Sequence, residues 1–337
     1  MGRHGGRPSL FGVDGLGFLL HFQQMANSIA LLFSGQGAQQ VGMGKDLSQR
    51  FATVANRFAE ADSVLGYSLS QIAFEGPLEE LTKTSHCQAA LYTHGVAILD
   101  LLREQIGDFH FVAAAGLSLG EFTAHAAAGT FDFPTGLRLV DNRGRYMEEA
   151  CNITSGAMAA FIGGDEAEVR EVAREADVDV ANLNSPGQIV LSGEASNVRN
   201  AIDIAKARGI KRALPLNVGG AFHSRLMISA QKRLEQDLNA IAIFKPAVTV
   251  VANVTASPVT SPDEVRTSLA QQVTGTVRWT PSIEYMIDRL GCDLLLELGP
   301  GQVLAGLVGR IRKGTRTLSI GDLLSLEAAL PQVSKAL

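Results

Sequence analysis

The stretch FHFVAAAGLSLGEFTAHAAAG, Phe109–Gly129, decides how the chain is read. Phe109 to Gly116 is a short apolar run that predicts a buried strand carried up to Ser118. LGEFTAHAAA predicts a helix built on alanines, which Gly129 ends from the C′ position. Between them Ser118 stands two residues from Gly116 and two from Gly120. A serine on a strand-to-helix turn has an exposed hydroxyl and, behind it, the free N–H groups and partial positive charge of a helix N-terminus. That is the nucleophile-elbow arrangement. The alternative is a small residue that merely fits the turn.

The same alternation extends outward. SIALLFSGQGAQQ predicts a buried strand, Ile29 to Phe33, running into a glycine loop. The loop is no dinucleotide fingerprint, because Gln40 stands where a third glycine would follow Gly35 and Gly37, and no P-loop lysine follows. Helices are predicted around Gln49–Val64 and Gln88–Glu104, and from Asp132 and Pro134 through Ala150. GAMAAFIGG, DEAEVREVAREA, VDVANLN, QIVLSG, NVRNAIDIAKAR (capped by Ser196) and KRALPLNV then give β-α-β-β-α-β. Beyond them lie a helix to about Ala240, a strand AVTVVANV, a helix Pro262–Gln272, a strand DLLLELGPG, a helix QVLAGLVGRI and a polar tail. The fold class expected is α/β: a large α/β-hydrolase-like domain with a mostly parallel sheet, residues 27–154 and 218–337, and an inserted ferredoxin-like subdomain, residues 155–217. Residues 1–26, basic and rich in glycine, are expected to be a disordered N-terminal extension; Asp14 and interrupting glycines argue against a signal peptide.

Composition narrows the functional class. The 337 residues carry a formal charge of -5, so no global basic field invites nucleic acid or an anionic membrane. An apolar content of 46% suits a globular protein, and no apolar run is long enough to cross a bilayer. Cys87, Cys151 and Cys292 have neither metal spacing nor a disulfide pattern, which points to a reducing cytoplasm and no metal.

A nucleophilic serine needs a base. His94 and His125 fall inside predicted helices, His86 in a polar loop, His110 before a strand, and His4 and His21 in the extension. His223, in the glycine-rich GGAFHS loop, is the favoured base, with a structural cap as the alternative. No acid between Ser118 and His223 stands out as the third group, so either one is hidden or a backbone carbonyl orients the histidine. Arg143, in LVDNRGRYM, could pair on the surface with Asp141 or Glu148, or bind a substrate carboxylate from a buried position.

Taken together, FSGQGAQQVGMG, GLSLGE, RLVDNRGRYM, NLNSPGQIVLSG, GAFHSRLM and ELGPGQVL resemble the malonyl-CoA:acyl carrier protein transacylases, the family that includes the acyltransferase domains of polyketide synthases. The resemblance covers about residues 28–312. It implies Ser118 as the residue that takes the malonyl group and His223 as the base. It implies backbone N–H groups of Gln36 and Leu119 as the oxyanion hole, Arg143 as the partner of the malonyl carboxylate, and the main-chain carbonyl of Gln272 as the group that orients His223. Two positions depart from the family. Leu117 replaces the usual histidine before the serine, which touches acyl contacts or packing beneath the elbow, and Ser34 replaces a common proline. Phe222 beside the base implies crowding of an α-methyl branch, a preference of about 1–3 kcal/mol.

The implied activity is ping-pong transfer of malonyl from malonyl-CoA to the carrier protein thiol for fatty-acid synthesis, by a cytoplasmic monomer without cofactor, nucleic acid or membrane. Lys206, Arg208, Lys211, Arg212, Arg310, Arg312 and Lys313 are the basic residues that an acidic carrier would meet. A serine hydrolase of the esterase type and a non-catalytic module that binds carrier protein or acyl-CoA are the alternatives.

Overall fold

The computed structural model describes residues 1–2 and 28–337; the extension assigned to residues 1–26 lies, from residue 3 onward, outside them. Its strands are β1 Ile29–Phe33, β2 Ala113–Gly116, β3 Gly156–Ile162, β4 Asp179–Ser185, β5 Gln188–Glu194, β6 Arg212–Pro215, β7 Thr249–Val251, β8 Pro258–Val259, β9 Leu294–Leu298 and β10 Arg316–Ile320. They form a mixed α/β structure with two sheets. The larger has the order β10-β9-β1-β2-β7-β8, parallel except for β8. The smaller is antiparallel, in the order β4-β5-β3-β6.

The continuous apolar run of β1 follows from where it lies. Ile29, Leu31 and Phe33 pack into one core with the long helix Thr84–Ile106 and its neighbours. Ala30 and Leu32 face the opposite core, with Val277, Trp279 and Ile283. A strand covered on both faces loses the alternation that a half-exposed strand shows. In the small sheet Ala159, Phe161, Leu183, Ile189 and Leu191 pack on the helices Glu166–Glu175 and Ala195–Ala207.

Parallel pairing places the loops that follow β1, β2 and β7 at one sheet edge, the edge at which open α/β sheets build sites. Phe33 pairs with Gly116 and with Leu298 at that edge. The small sheet is tied to the larger unit through β4: Leu183 N–H donates to Val277 O at 2.9 Å and Val277 N–H to Ala181 O at 2.8 Å. Among the described residues no helix is long and apolar enough to cross a membrane.

Several sequence expectations are corrected. The tail after Ile311 is no polar tail but β10 and the helix Leu323–Ala336. β10 lies at the sheet edge and is only partly buried, so RTLSI reads as polar. The closing helix buries Leu326, Ala329, Val333 and Ala336 on one face. Ser196 does not cap its helix; Glu194 holds the N-cap position, and Ser196 lies in the first turn. His86 is in the first turn of Thr84–Ile106 rather than in a loop. The strand expected over 247–254 is only β7, with β8 returning beside it. The strand before the elbow begins at Ala113 rather than Phe109. The helix Trp279–Asp288, with Trp279, Ile283 and Met286 buried, had no expectation.

Glycine at the elbow is a packing requirement. A Cβ on Gly116 would stand 1.9 Å from the carbonyl carbon of Gly120, and one on Gly120 would stand 2.1 Å from Phe33 O. Backbone on backbone leaves nothing to rotate away. Gly120→Ala is therefore expected to destabilise by about 3 kcal/mol or more. Gly306, inside the helix Val303–Ile311 and exposed, has nothing within 4 Å of its virtual Cβ. Gly306→Ala is expected to stabilise by roughly 0.5–1 kcal/mol. Urea denaturation of the two variants beside the native protein checks both signs.

Candidate active site

Ser118 is the N-cap of the helix Leu119–Ala127, with φ 54° and ψ -107°. A non-glycine residue at positive φ is strained and persists only where its surroundings hold it. Here both of its backbone polar groups are clamped by side chains from distant loops. Ser118 N–H donates to Asn253 Oδ1 at 2.8 Å, and Gln272 Nε2 donates to Ser118 O at 2.8 Å. Asn253 Nδ2 also donates to Gly116 O at 2.8 Å, which ties the strand end to the same side chain.

The hydroxyl is contacted from two sides. His223 Nε2 lies 2.7 Å from Ser118 Oγ, and Arg143 Nη2 donates to that oxygen at 3.0 Å. His223, itself at φ 56°, comes from the loop before the helix Ile228–Ala240. Its Nδ1 is 2.8 Å from the main-chain carbonyl of Gln272. A carbonyl can only accept, so the ring proton is on Nδ1 and the Nε2 lone pair faces Ser118. The serine hydroxyl then donates to Nε2 while accepting from Arg143.

Arg143 comes from the helix Phe133–Ile153 and is 1% exposed. Its Nη1 donates to Gln88 Oε1 at 2.6 Å and its Nη2 to Gln272 Oε1 at 2.8 Å, and its guanidinium carbon lies 5.4 Å from the Phe122 ring centroid. Neither Asp141 nor Glu148 is its partner: Asp141 pairs with Arg145, and Glu148 meets Ser85. Gly144 allows this burial, since a Cβ there would stand 2.4 Å from Ser85 Cα.

These environments shift the titrating groups. Burial, and then the charge of Arg143, lower His223 to about 4, so it is neutral at pH 7. Burial lowers Arg143 to about 10, still cationic at pH 7. Burial raises Glu121 to about 7, against hydrogen bonds from Gln272 and Asn253. A neutral imidazole against a serine hydroxyl is a proton acceptor in waiting, and a buried guanidinium 3.0 Å from the same oxygen is an anion site beside it.

A cleft of about 170 Å³ opens onto Ser118 between the two sheets. Gln36, Leu117, Leu119, Arg143, Phe222 and His223 line it from the large unit, with Met158, Asn182 and Leu216 opposite. Leu119 is the first helical residue, whose N–H has no carbonyl one turn back. The Gln36 loop lies against the elbow, where a Cβ on Gly35 would stand 2.3 Å from Leu117 O. Leu117 also packs on the core around Trp279, beneath the elbow. A wider groove of about 830 Å³ shares Gln36 and Val218 with the cleft.

The structure thus brings all eight sequence-predicted positions to one place. The other described histidines lie elsewhere: His94 on Gly321 O, His125 on Thr130, His86 on Glu80 O and His110 on Asp108 O. Of the basic residues put forward for a carrier, Lys206 pairs with Asp203, Arg208 with Glu175 and Arg312 with Asp288, while Arg310 meets Gln188. Sequence reasoning missed Gln88, Asn253, Glu121 and the side chain of Gln272. Their signal was weak: a polar residue inside an apolar helix, or just after a buried strand.

The profile of a family described as acyl transferase domain matches residues 30–303. The chain is 40% identical over 311 residues to a malonyl CoA-acyl carrier protein transacylase of Bacillus subtilis, covering 90% of this chain and 96% of that one. It is 41% identical over 305 residues to the protein of the same description from Escherichia coli, covering 89% and 98%. A solved malonyl-transacylase in complex with its type II PKS acyl-carrier protein superposes with a TM-score of 0.87 at 40% identity, covering 90% of this chain and 99% of that chain.

The electrostatic arrangement has a direct readout. In a ¹⁵N-histidine NMR titration His223 is expected to protonate with a midpoint of about 4, and the midpoint to rise in Arg143→Ala, which removes the neighbouring charge. A midpoint at the ordinary 6.5 in both proteins would contradict the burial assigned to the ring. Between the two values the unfolded chain holds more protons than the folded one, so this group makes stability fall as pH drops through that window.

Proposed function

The chain belongs to the acyl transferase domain family, and from that membership we propose how its residues carry the chemistry. The protein transfers the malonyl group of malonyl-CoA to acyl carrier protein, for fatty-acid or polyketide synthesis. The observation that carries the residue assignment is the convergence of His223 Nε2 and Arg143 Nη2 on Ser118 Oγ.

In the first half-reaction Ser118 Oγ attacks the thioester carbonyl as His223 Nε2 takes its proton. The oxyanion is met by the N–H groups of Gln36 and Leu119. Collapse breaks the C–S bond, and the coenzyme A thiolate leaves with the proton from Nε2. The malonyl ester remains on Ser118, its carboxylate on Arg143. In the second half His223 takes the proton of the carrier's pantetheine thiol, the thiolate attacks the ester carbonyl, and Ser118 leaves as the alkoxide and regains that proton. Gln272 O holds the imidazole in the required tautomer throughout, in place of a carboxylate. A thioester is already an activated acyl donor, so the scheme draws on no resident cofactor or metal.

Selectivity is assigned to two contacts. A neutral acetyl group leaves the buried guanidinium without an anionic partner, which costs more than one missing methyl contact. Phe222 and Leu117 line the cleft beside Ser118 and are read as acting by shape. At the level of architecture, the β4-β5-β3-β6 order with two helices on one face supports a ferredoxin-like subdomain over residues 155–217. Residues 27–154 and 218–337 are read as the α/β-hydrolase-like catalytic unit, supported by the elbow at the end of a parallel strand.

Mixing the protein with malonyl-CoA and following intact mass tests the scheme. A malonyl adduct is expected on the native protein, discharged by carrier protein faster than by water, and none on Ser118→Ala. Arg143→Ala is expected to lose roughly 10²–10³-fold in kcat/KM for malonyl-CoA and far less for acetyl-CoA. An adduct that survives Ser118→Ala would remove the assigned nucleophile.

A further inference from the structure

Glu121 is a fully buried acid three residues after Ser118, and no step of the acyl transfer uses it. It lies within LGEFTAHAA, a helix otherwise made of apolar and small residues with His125. Its Oε2 accepts from Asn253 N–H at 3.2 Å and from Gln272 Nε2 at 2.7 Å. The two partners are the residues that clamp the backbone of Ser118.

The Gln272 carboxamide can face Arg143 with either its oxygen or its NH₂. Its NH₂ is committed twice, to Glu121 Oε2 and to Ser118 O, both acceptors. The oxygen therefore faces Arg143 and accepts from Nη2 at 2.8 Å. Turned over, the amide would set its NH₂ against a cation and its oxygen against two acceptors, among side chains that are all buried. Ser118 O provides one of the two locks, at 2.8 Å, and Glu121 Oε2 the other, at 2.7 Å. Its carboxyl also acts electrostatically on Arg143 across the amide.

We propose that Glu121 is a positioning residue for acyl recognition: it holds the Gln272 carboxamide with its oxygen toward Arg143, keeps the guanidinium at Ser118, and so sets the preference for an anionic acyl group over a neutral one. The proposal rests on the reading of Arg143 as the partner of the substrate carboxylate. A residue that merely supported the elbow would affect all acyl donors alike. A residue that aims Arg143 affects the carboxylated donor most.

The test is the ratio of kcat/KM for acylation of Ser118 by malonyl-CoA and by acetyl-CoA, in the native protein, Glu121→Met, Glu121→Gln, Gln272→Met and Arg143→Ala. Glu121→Met and Gln272→Met are each expected to lower the ratio by about tenfold or more, the effect of one charge-assisted hydrogen bond. Glu121→Gln, which retains an oxygen for the two N–H donors, is expected to keep the ratio within about threefold. An equal fall with both donors in Glu121→Met, an unchanged ratio in Gln272→Met, or a glutamine variant as unselective as the methionine variant overturns the proposal. If Glu121→Met yields no folded protein by circular dichroism, Gln272→Met carries the test, because it leaves the buried carboxyl in place. An Arg143→Ala protein that still prefers malonyl would instead remove the reading of Arg143 itself.

Discussion

A guanidinium removed from water beside a serine hydroxyl is the constraint around which the site is arranged. Burying an unpaired cation costs several kcal/mol, so its surroundings have to compensate. Arg143 is met by two carboxamide oxygens, from Gln88 and Gln272, and by the face of Phe122. These contacts solvate it without neutralising it. A carboxylate in direct contact would complete the pairing, and none stands there among the described residues; the nearby Glu121 is separated from it by the Gln272 amide. On the proposed scheme the substrate supplies the missing anion, which joins binding and selectivity in one interaction. The same charge helps keep His223 neutral, so one buried group bears on both side chains that meet Ser118 Oγ.

Holding that arrangement falls to a rigid parallel sheet. Three of the contributing loops leave the sheet at one edge, after β1, β2 and β7. The elbow fits only because Gly116 and Gly120 bring the strand end and the helix start into backbone contact. Ser118 and His223 both sit at positive φ, and the side chains of Asn253 and Gln272 hold the first of them. Strain of about 1–3 kcal/mol at such residues is sustained by the packing around them. Gln272 recurs at each level: its carbonyl meets the His223 ring, its NH₂ fixes the elbow, and its oxygen meets the guanidinium.

What the sequence made legible was local. The glycine spacing around Ser118, the apolar run of β1 and the helix-strand rhythm of residues 155–217 each depend on neighbours a few residues away. Arg143 was harder, because the same residue on an exposed helix face would pair with Asp141, and its burial depends on the packing of Gly144 on Ser85, 59 residues away in the chain. Asn253 and Glu121 lie 132 residues apart and meet through one hydrogen bond, which no periodicity encodes. The C-terminal strand was misread for the opposite reason: an edge strand half open to solvent carries polar residues and looks like a tail. The missing third acid of the triad was legible as an absence, since no carboxylate touches His223 Nδ1 among the described residues and a carbonyl does.

The most direct test of the central claim is a crystal structure of the protein trapped after reaction with malonyl-CoA. An ester on Ser118 Oγ is predicted, with both oxygens of its free carboxylate within hydrogen-bond distance of Arg143 and its carbonyl oxygen toward the N–H groups of Gln36 and Leu119. A malonyl group on another residue, or one on Ser118 whose carboxylate turns away from Arg143 into solvent, would contradict it.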